Sequence, residues 1–368
     1  MIFFLNVLFF IYLIMVLNFL IGWLKNSSQN DKSKFRLSVV IAVRNEEKKL
    51  LSLINSLKSQ DYDKNLYNVI IVDDHSQDNS LKILQEQASL CSNLRVLKQD
   101  ALLSGKKKAI LKAVKESKND IILTTDADCS FNKNWLSSMS SFFTNETINL
   151  VSGPVSYKSS SSFFKKIQAL EFLSLIGSAA GAIGINKPIL CNGANLAYRR
   201  KVFLESTNYE SDNIMSGDDV FLLHLVKKKY PNSILFAKNK DAIVLTDAVN
   251  NTYDFFNQRI RWSAKSTKYT DIHTIVVAIL VFLVNVSLIF MAIYSIYKPS
   301  FFITFFYLFI VKFLIDFIFL VPVLYFFKRT ELIKWILPLQ IIYPIYITLI
   351  SITSNFISFN WKGRISKT

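Results

Sequence analysis

Histidine and cysteine are scarce in this chain, with three of each in 368 residues. Cys91, Cys129 and Cys191 are odd in number and widely spaced, and His75, His224 and His273 are scattered. Neither set has the spacing of a zinc site or a disulfide framework, and unpaired thiols suit a reducing compartment. Glycine is also sparse, at nine residues. No Gly-x-Gly-x-x-Gly or Walker A sequence follows the first apolar run, which speaks against dinucleotide and P-loop sites. No Gly-x-Ser-x-Gly elbow points to acyl transfer. Lys and Arg number 43 against 27 Asp and Glu, a formal net charge of +16. They form no arginine-rich arm with interleaved aromatics, so no nucleic-acid partner is expected. A basic domain held against an anionic membrane leaflet accounts for the charge better.

Charge is absent from Met1 to Trp23, a stretch long enough to cross a bilayer. It has neither the basic start nor the small-residue cleavage site of a secretory signal, and residues 1–24 are expected to remain as an anchor. Three further apolar segments follow, Ile272–Tyr297, Phe301–Phe327 and Glu331–Phe356. They define a C-terminal membrane region over 272–356, ahead of a basic tail over 357–368. Lys312 and Asp316 stand at i and i+4, so on a helix they share a face and can pair. Pro338 and Pro344 suit a kinked or interfacial helix. Positive charge places the polar section, 35–268, and the Lys328-Arg329 loop on the cytoplasmic side of a multi-pass inner-membrane protein. With three full spans, Lys362, Arg364 and Lys367 would end outside, so the course of the last segment stays open.

The polar section alternates strands and helices. Leu37–Val43 reads as a strand, and Asn45 as the cap of a helix with apolar positions Leu50, Leu51, Ile54 and Leu57. Val69–Val72 is a second strand ending in Asp73-Asp74, followed by a helix from about Asn79, a strand at Leu94–Leu97 and a helix over Lys106–Ser117. Ile121–Thr125 is a short β-branched strand that ends in Asp126-Ala127-Asp128. This order implies a mostly parallel α/β sheet with right-handed crossovers. A helix from Phe163 to about Ala182 carries Gly177, Gly181 and Gly184 nearby, a spacing that fits either close packing or flexibility.

Ligands of open α/β sheets bind beyond the carboxyl ends of the strands. Asp126 and Asp128 on such a turn can share a divalent metal that holds phosphates; alone, the spacing equally fits a helix-capping turn. Asp73-Asp74 can accept hydrogen bonds from a base or ribose, or cap a helix. Gly105-Lys106-Lys107-Lys108 opens a helix whose amides and lysines favour phosphate, or is a solvated basic turn. Asn192-Gly193-Ala194-Asn195 can approach sugar hydroxyls, or form a hairpin turn. In Gly217-Asp218-Asp219 one acid can act as a general base. Gln258-Arg259-Ile260-Arg261-Trp262 can clamp a diphosphate and stack on a sugar, or serve as a juxtamembrane anchor.

Taken in order, these motifs resemble those of the membrane-bound branch of glycosyltransferase family 2, the group of the cellulose, hyaluronan and poly-N-acetylglucosamine synthases. The resemblance covers roughly Leu37 to Trp262 and the flanking apolar segments. Gln258–Trp262 matches the family's Gln-(Gln/Arg)-x-Arg-Trp pattern at every defined position. The resemblance implies a GT-A fold flanked by one N-terminal and about three C-terminal transmembrane helices. It implies inverting, metal-dependent transfer from a nucleotide sugar, a UDP-sugar, to a lipid or growing polysaccharide. Asp73 would contact the base with Asp74 nearby, and Lys106 would lie near the nucleotide. Asp126 would face the donor, and Asp128, with Asp126, would bind Mg²⁺ or Mn²⁺. Asp219 would deprotonate the acceptor, with Asn195, Asp218 and Trp262 on the acceptor side. Gln258, Arg259, Arg261 and Trp262 would hold the diphosphate. Gly217-Asp218-Asp219 replaces the Thr-Glu-Asp of many synthases and stands nearer the hyaluronan-synthase form. Only three C-terminal segments are present, which puts a polymer-secreting channel in doubt. The rival expectation is a membrane-anchored binding or assembly protein that keeps the fold without turnover.

Overall fold

The computed structural model describes residues 1–29, 34–206, 218–357, 359–361 and 364–366, with backbone alone for residue 218 and for those after 357. Helix α1 (Ile2–Lys25) opens the chain. Then come β1 (Leu37–Val43), α2 (Leu50–Lys58), β2 (Tyr67–Asp73), α3 (Ser80–Ser89), β3 (Leu94–Lys98), α4 (Lys106–Glu116) and β4 (Ile121–Thr124). Next are β5 (Ser130–Phe131), α5 (Trp135–Ser140), β6 (Leu150–Ser152), β7 (Val155–Tyr157), α6 (Phe163–Gly184), β8 (Leu196–Arg199), α7 (Arg200–Ser206), α8 (Asp218–Lys229), β9 (Ile234–Phe236) and β10 (Val244–Thr246). The last are α9 (Thr252–Ala264), α10 (Ile272–Tyr297), α11 (Phe302–Phe326), α12 (Ile336–Thr353), β11 (Phe359–Trp361) and β12 (Arg364–Ser366).

Contacts divide these elements into two compact units. An α/β unit comprises Asn26–Lys158 and Leu190–Asp247; a helical unit comprises Met1–Lys25, Ser159–Ile189 and Ala248–Thr368. The domain expected over 35–268 is therefore partitioned, with residues 159–189 and 248–268 grouping with the terminal helices.

In the α/β unit a seven-stranded sheet has the order β3-β2-β1-β4-β8-β6-β9, and β5-β10-β7 form a smaller one. Strands β3, β2, β1 and β4 run parallel, and β8 runs antiparallel to both β4 and β6. Leu37, Val39, Val40 and Ile41 are fully buried, as expected for a central parallel strand covered on both faces. The chain lays β2 on one side of β1 and β4 on the other, creating the crevice at which such sheets bind ligands. The register aligns Val43 with Asp73 and Val40 with Thr124. Asp73, Asp74 and Asp126 consequently stand at one carboxyl edge.

The helix cap expected of Asn45 is not formed. Asn45 adopts a left-handed φ of 53° and its side chain accepts the Gln77 N–H at 2.8 Å. Helix α2 starts only at Leu50, and Leu51 is exposed. The loop after β1 instead clasps the loop after β2, where Arg44 donates to the Asp74 carbonyl at 2.8 Å.

Among the described residues, five helical segments of the other unit are long and apolar enough to cross a membrane: Ile2–Lys25, Phe163–Gly184, Ile272–Tyr297, Pro299–Phe326 and Thr330–Thr353. The second adds to the expected set, and most of it is buried inside the unit. Its glycines resolve the earlier ambiguity in favour of close packing. A Cβ on Gly181 would overlap the Phe19 carbonyl, one on Gly184 the Gly22 carbonyl, and one on Gly22 the Gly181 carbonyl. Backbones of α1 and α6 thus meet along a glycine seam. The expected Lys312–Asp316 pair is present at 2.8 Å and buried. Gln340 accepts from Lys312 and donates to Asp316, each at 2.6 Å, and the Tyr12 hydroxyl donates to Asp316 at 2.7 Å. This network ties α1, α11 and α12.

Candidate active site

Strand β4 ends in a turn that carries Asp126 and Asp128. Asp126 pairs with the Lys106 ammonium at the start of α4. Asp128 accepts a hydrogen bond from the Thr246 hydroxyl at 3.0 Å and lies 3.8 Å from the Lys49 ammonium. The next residue, Cys129, is buried, and its thiol faces Asp128 at 3.7 Å. Burial, and then the carboxylates of Asp126 and Asp128, push this thiol well above its ordinary pKa. It is a protonated packing group, not a nucleophile.

Among the described residues no group of three His, Cys, Asp or Glu is arranged to hold a metal. The two aspartates supply hard oxygen donors of the kind Mg²⁺ and Mn²⁺ take, and such ions complete their shells with phosphate oxygens and water. The donor set fits that role.

Asp73 and Asp74, both buried, differ in task. Asp73 accepts the Ser76 N–H with one oxygen, and its other oxygen has no partner. Both oxygens of Asp74 accept the Gly105 N–H, at 3.1 and 3.0 Å. Gly105 has φ 107°, a conformation open almost only to glycine. Asp74 thereby fixes where α4 begins and where Lys106 sits.

Asp219 lies in the first turn of α8. Its carboxylate accepts the Gly193 N–H at 2.8 Å and the Val220 N–H at 3.0 Å. The Gly193 carbonyl accepts from the Thr124 hydroxyl at 3.0 Å. Two hydrogen bonds therefore connect the end of β4, which bears the Asp-x-Asp turn, to Asp219. Gly217 and the side chain of Asp218 lie outside the described residues.

Asn195, expected at the acceptor, is fully buried. Its amide donates to the carbonyls of Pro154 and Ala242, each at 2.8 Å, and accepts from the Trp135 indole at 3.0 Å. That side chain braces the segments that lead into the small sheet.

In the helical unit, Gln258, Arg259, Arg261 and Trp262 lie on α9. Arg259, expected at the diphosphate, is instead buried against Glu171 of α6, with its guanidinium 4.3 Å from the Trp262 ring. It also bonds Gln258 at 2.5 Å. A guanidinium so enclosed braces α9 against α6. Arg261 and Trp262 are partly exposed. Thr246 and Glu171 were not singled out by motif; their partners are distant in sequence, and only their places at an element end or on a helix face could have marked them.

A mixed sheet of this order, with carboxylates along its carboxyl edge, defines a GT-A-type α/β domain. Residues 38–206 match the model of glycosyl transferase family 2. It is 27% identical over 186 residues to the glycosyltransferase AglE of Haloferax volcanii, covering 50% of this chain and 59% of that protein. It is 27% identical over 235 residues to the beta-monoglucosyldiacylglycerol synthase of Trichormus variabilis, covering 62% and 48% respectively. A mannosyltransferase from Pyrobaculum calidifontis, solved with GDP-Man and Mn²⁺, has the same fold at a TM-score of 0.54 and 17% identity, over 71% of this chain and 70% of that one. The chain spans about half the length of the curated relatives it matches.

Proposed function

We propose that this chain is an inverting, metal-dependent glycosyltransferase that moves a sugar from a nucleotide sugar, a UDP-sugar, to a membrane-associated lipid or growing polysaccharide. The observation that carries the reading is the link from Thr124 through Gly193 to Asp219, which fixes one carboxylate relative to the Asp126–Asp128 turn. In this reading Asp219 takes the proton of the acceptor hydroxyl as its oxygen bonds to the anomeric carbon. The bond from that carbon to the diphosphate oxygen breaks, and the electron pair leaves with the nucleoside diphosphate. A single base opposite the leaving group gives inversion. A divalent cation held by Asp128 and Asp126 would offset charge on the departing diphosphate. Lys106 lies beside the same turn and supplies a further positive charge. By resemblance, Gln258, Arg261 and Trp262 serve the diphosphate and the acceptor end, Asp73 the base, and Asp218 the acceptor.

A lipid acceptor accords with the relative named for diacylglycerol and with five apolar helices. The reading places the enzyme in the inner cell membrane, multi-pass, with the α/β unit in the cytoplasm. The test is Asp219→Asn in membranes given labelled nucleotide sugars with Mg²⁺ or Mn²⁺. The reading requires transfer to collapse while nucleotide binding persists, with label in lipid extract or in polymer naming the acceptor. Unchanged transfer in the variant overturns the assignment of Asp219 as the base, and no incorporation from any donor by intact protein overturns the enzyme reading in favour of a non-catalytic binding protein.

A further inference from the structure

We propose that the last apolar segment, Thr330–Thr353, enters the membrane leaflet next to the α/β unit and returns to the side it left, without crossing. Its uncovered face rests on lipid acyl chains, and the chain beyond it stays on the α/β side. The cytoplasmic side of the α/β unit is that of the reading above.

The helix ends set this course. α1 leads directly into the α/β unit, and Trp23 at its end meets Phe326 at the end of α11 edge-on, with ring centroids 5.4 Å apart. The turn Pro299–Phe301 reverses the chain between α10 and α11, which pack together. α11 therefore ends on the side where α10 begins. α9 belongs to that side too. Residues 265–271 link it to α10, with Ser266–Lys268 in a tight turn. Such a link reaches about 25 Å at most, short of a hydrocarbon core of about 30 Å.

The segment that follows α11 ends against α9. The Ser354 and Ser263 hydroxyls lie 2.9 Å apart, and Ile350 packs with Ile260 and Ala264. Thr330–Thr353 thus begins and ends on one side. Gln340 marks its depth, because it bonds both Lys312 and Asp316 of α11. Asp316 precedes Phe326 by ten residues, about 15 Å along the helix and about half the apolar core. The protein supplies partners for the Gln340 amide at that depth, which lipid cannot. On the return, Pro344 interrupts the hydrogen-bond ladder inside α12.

The other face of the segment is apolar and uncovered. Leu337, Ile341, Ile345, Leu349 and Ile352 are exposed at spacings of one helical turn. Such a stripe suits acyl chains. α6 obeys the same rule of ends. The chain enters it from β7 and leaves toward β8, strands of one compact unit, so α6 does not cross despite its length. Crossings by α1, α10 and α11 remain. Lys362, Arg364 and Lys367 then fall on the side of Lys328 and Arg329, which removes the conflict that three full C-terminal spans create.

The test labels the full chain with a membrane-impermeant maleimide, in intact cells and in inverted membrane vesicles, and reads each site by mass spectrometry. One cysteine is introduced at a time, at the exposed positions Lys298, Lys334 and Phe356. Lys298→Cys should label in intact cells, and Lys334→Cys and Phe356→Cys only in the vesicles. Label on Phe356→Cys in intact cells, with Lys334→Cys protected there, means a full span and overturns the proposal. Thr368→Cys gives the same readout should lipid shield Phe356→Cys in both preparations. Cys91 and Cys191 of the α/β unit report separately. Their labelling in intact cells defeats the cytoplasmic reading, while the proposal still requires Phe356→Cys to label together with them.

Discussion

Glu171 on α6 and Arg259 on α9 form a buried two-point ion pair. Arg259 Nη2 lies 2.5 Å and Nε 3.2 Å from the carboxylate. Burying both charges is tolerable only because each neutralises the other and the fork geometry fills both oxygens. Removing one partner leaves the other charged and enclosed. Arg259→Ala or Glu171→Ala should each destabilise the protein by about 3–5 kcal/mol. The paired Arg259→Met, Glu171→Leu variant should recover much of that loss. Thermal unfolding of the three variants in detergent, followed by intrinsic fluorescence, checks the order.

Thr246 stands where its hydroxyl can orient Asp128. Partners of ligating carboxylates affect metal affinity without touching the metal. Thr246→Val should weaken Mn²⁺ binding in the presence of UDP by about tenfold, within the range such outer partners show. Thr246→Ser should remain close to the unaltered protein. Mn²⁺ titration followed by electron paramagnetic resonance reads the metal directly, apart from turnover.

Gly105 has no atom within 4 Å of where a Cβ would stand, so a clash is not its constraint. Its φ of 107° with ψ 151° is a backbone conformation that residues with a side chain rarely adopt. Gly105→Ala should therefore cost about 1–3 kcal/mol through backbone conformation alone. It should also disturb the Asp74 anchor. A melt of Gly105→Ala beside Asp74→Ala tests this: if the two act through one anchor, the double variant loses less than the sum of the singles.

Cys129 should resist alkylation while Cys91 and Cys191, both partly exposed, react. Burial, and then the Asp126 and Asp128 carboxylates, raise its thiol pKa and disfavour the reactive thiolate there. Mass spectrometry after timed maleimide treatment, with and without denaturant, separates the three sites.

Local pattern was informative where local chemistry decides the outcome. The β-branched runs at Leu37–Val43 and Ile121–Thr124 became strands, and Lys312 met Asp316 one helical turn away. The pattern was silent where partners are remote. Asn45 turned left-handed to meet Gln77 instead of capping its own helix. Asn195 bonds residues near 135, 154 and 242, and no spacing within Asn192–Asn195 reveals them. Arg259 sits inside a motif that reads as a diphosphate clamp, yet its nearest charge is Glu171 on another helix.

The glycine seam between α1 and α6 has a consequence for the order of assembly. Gly22 is made early, but the glycines it rests against, Gly181 and Gly184, emerge only after the first strands of the α/β unit. During synthesis α1 waits as a lone apolar helix with its narrow side uncovered. It can dock only when α6 arrives. Exchanging α1 for another apolar helix without a glycine at that height would preserve insertion into lipid and still leave α6 without its seat.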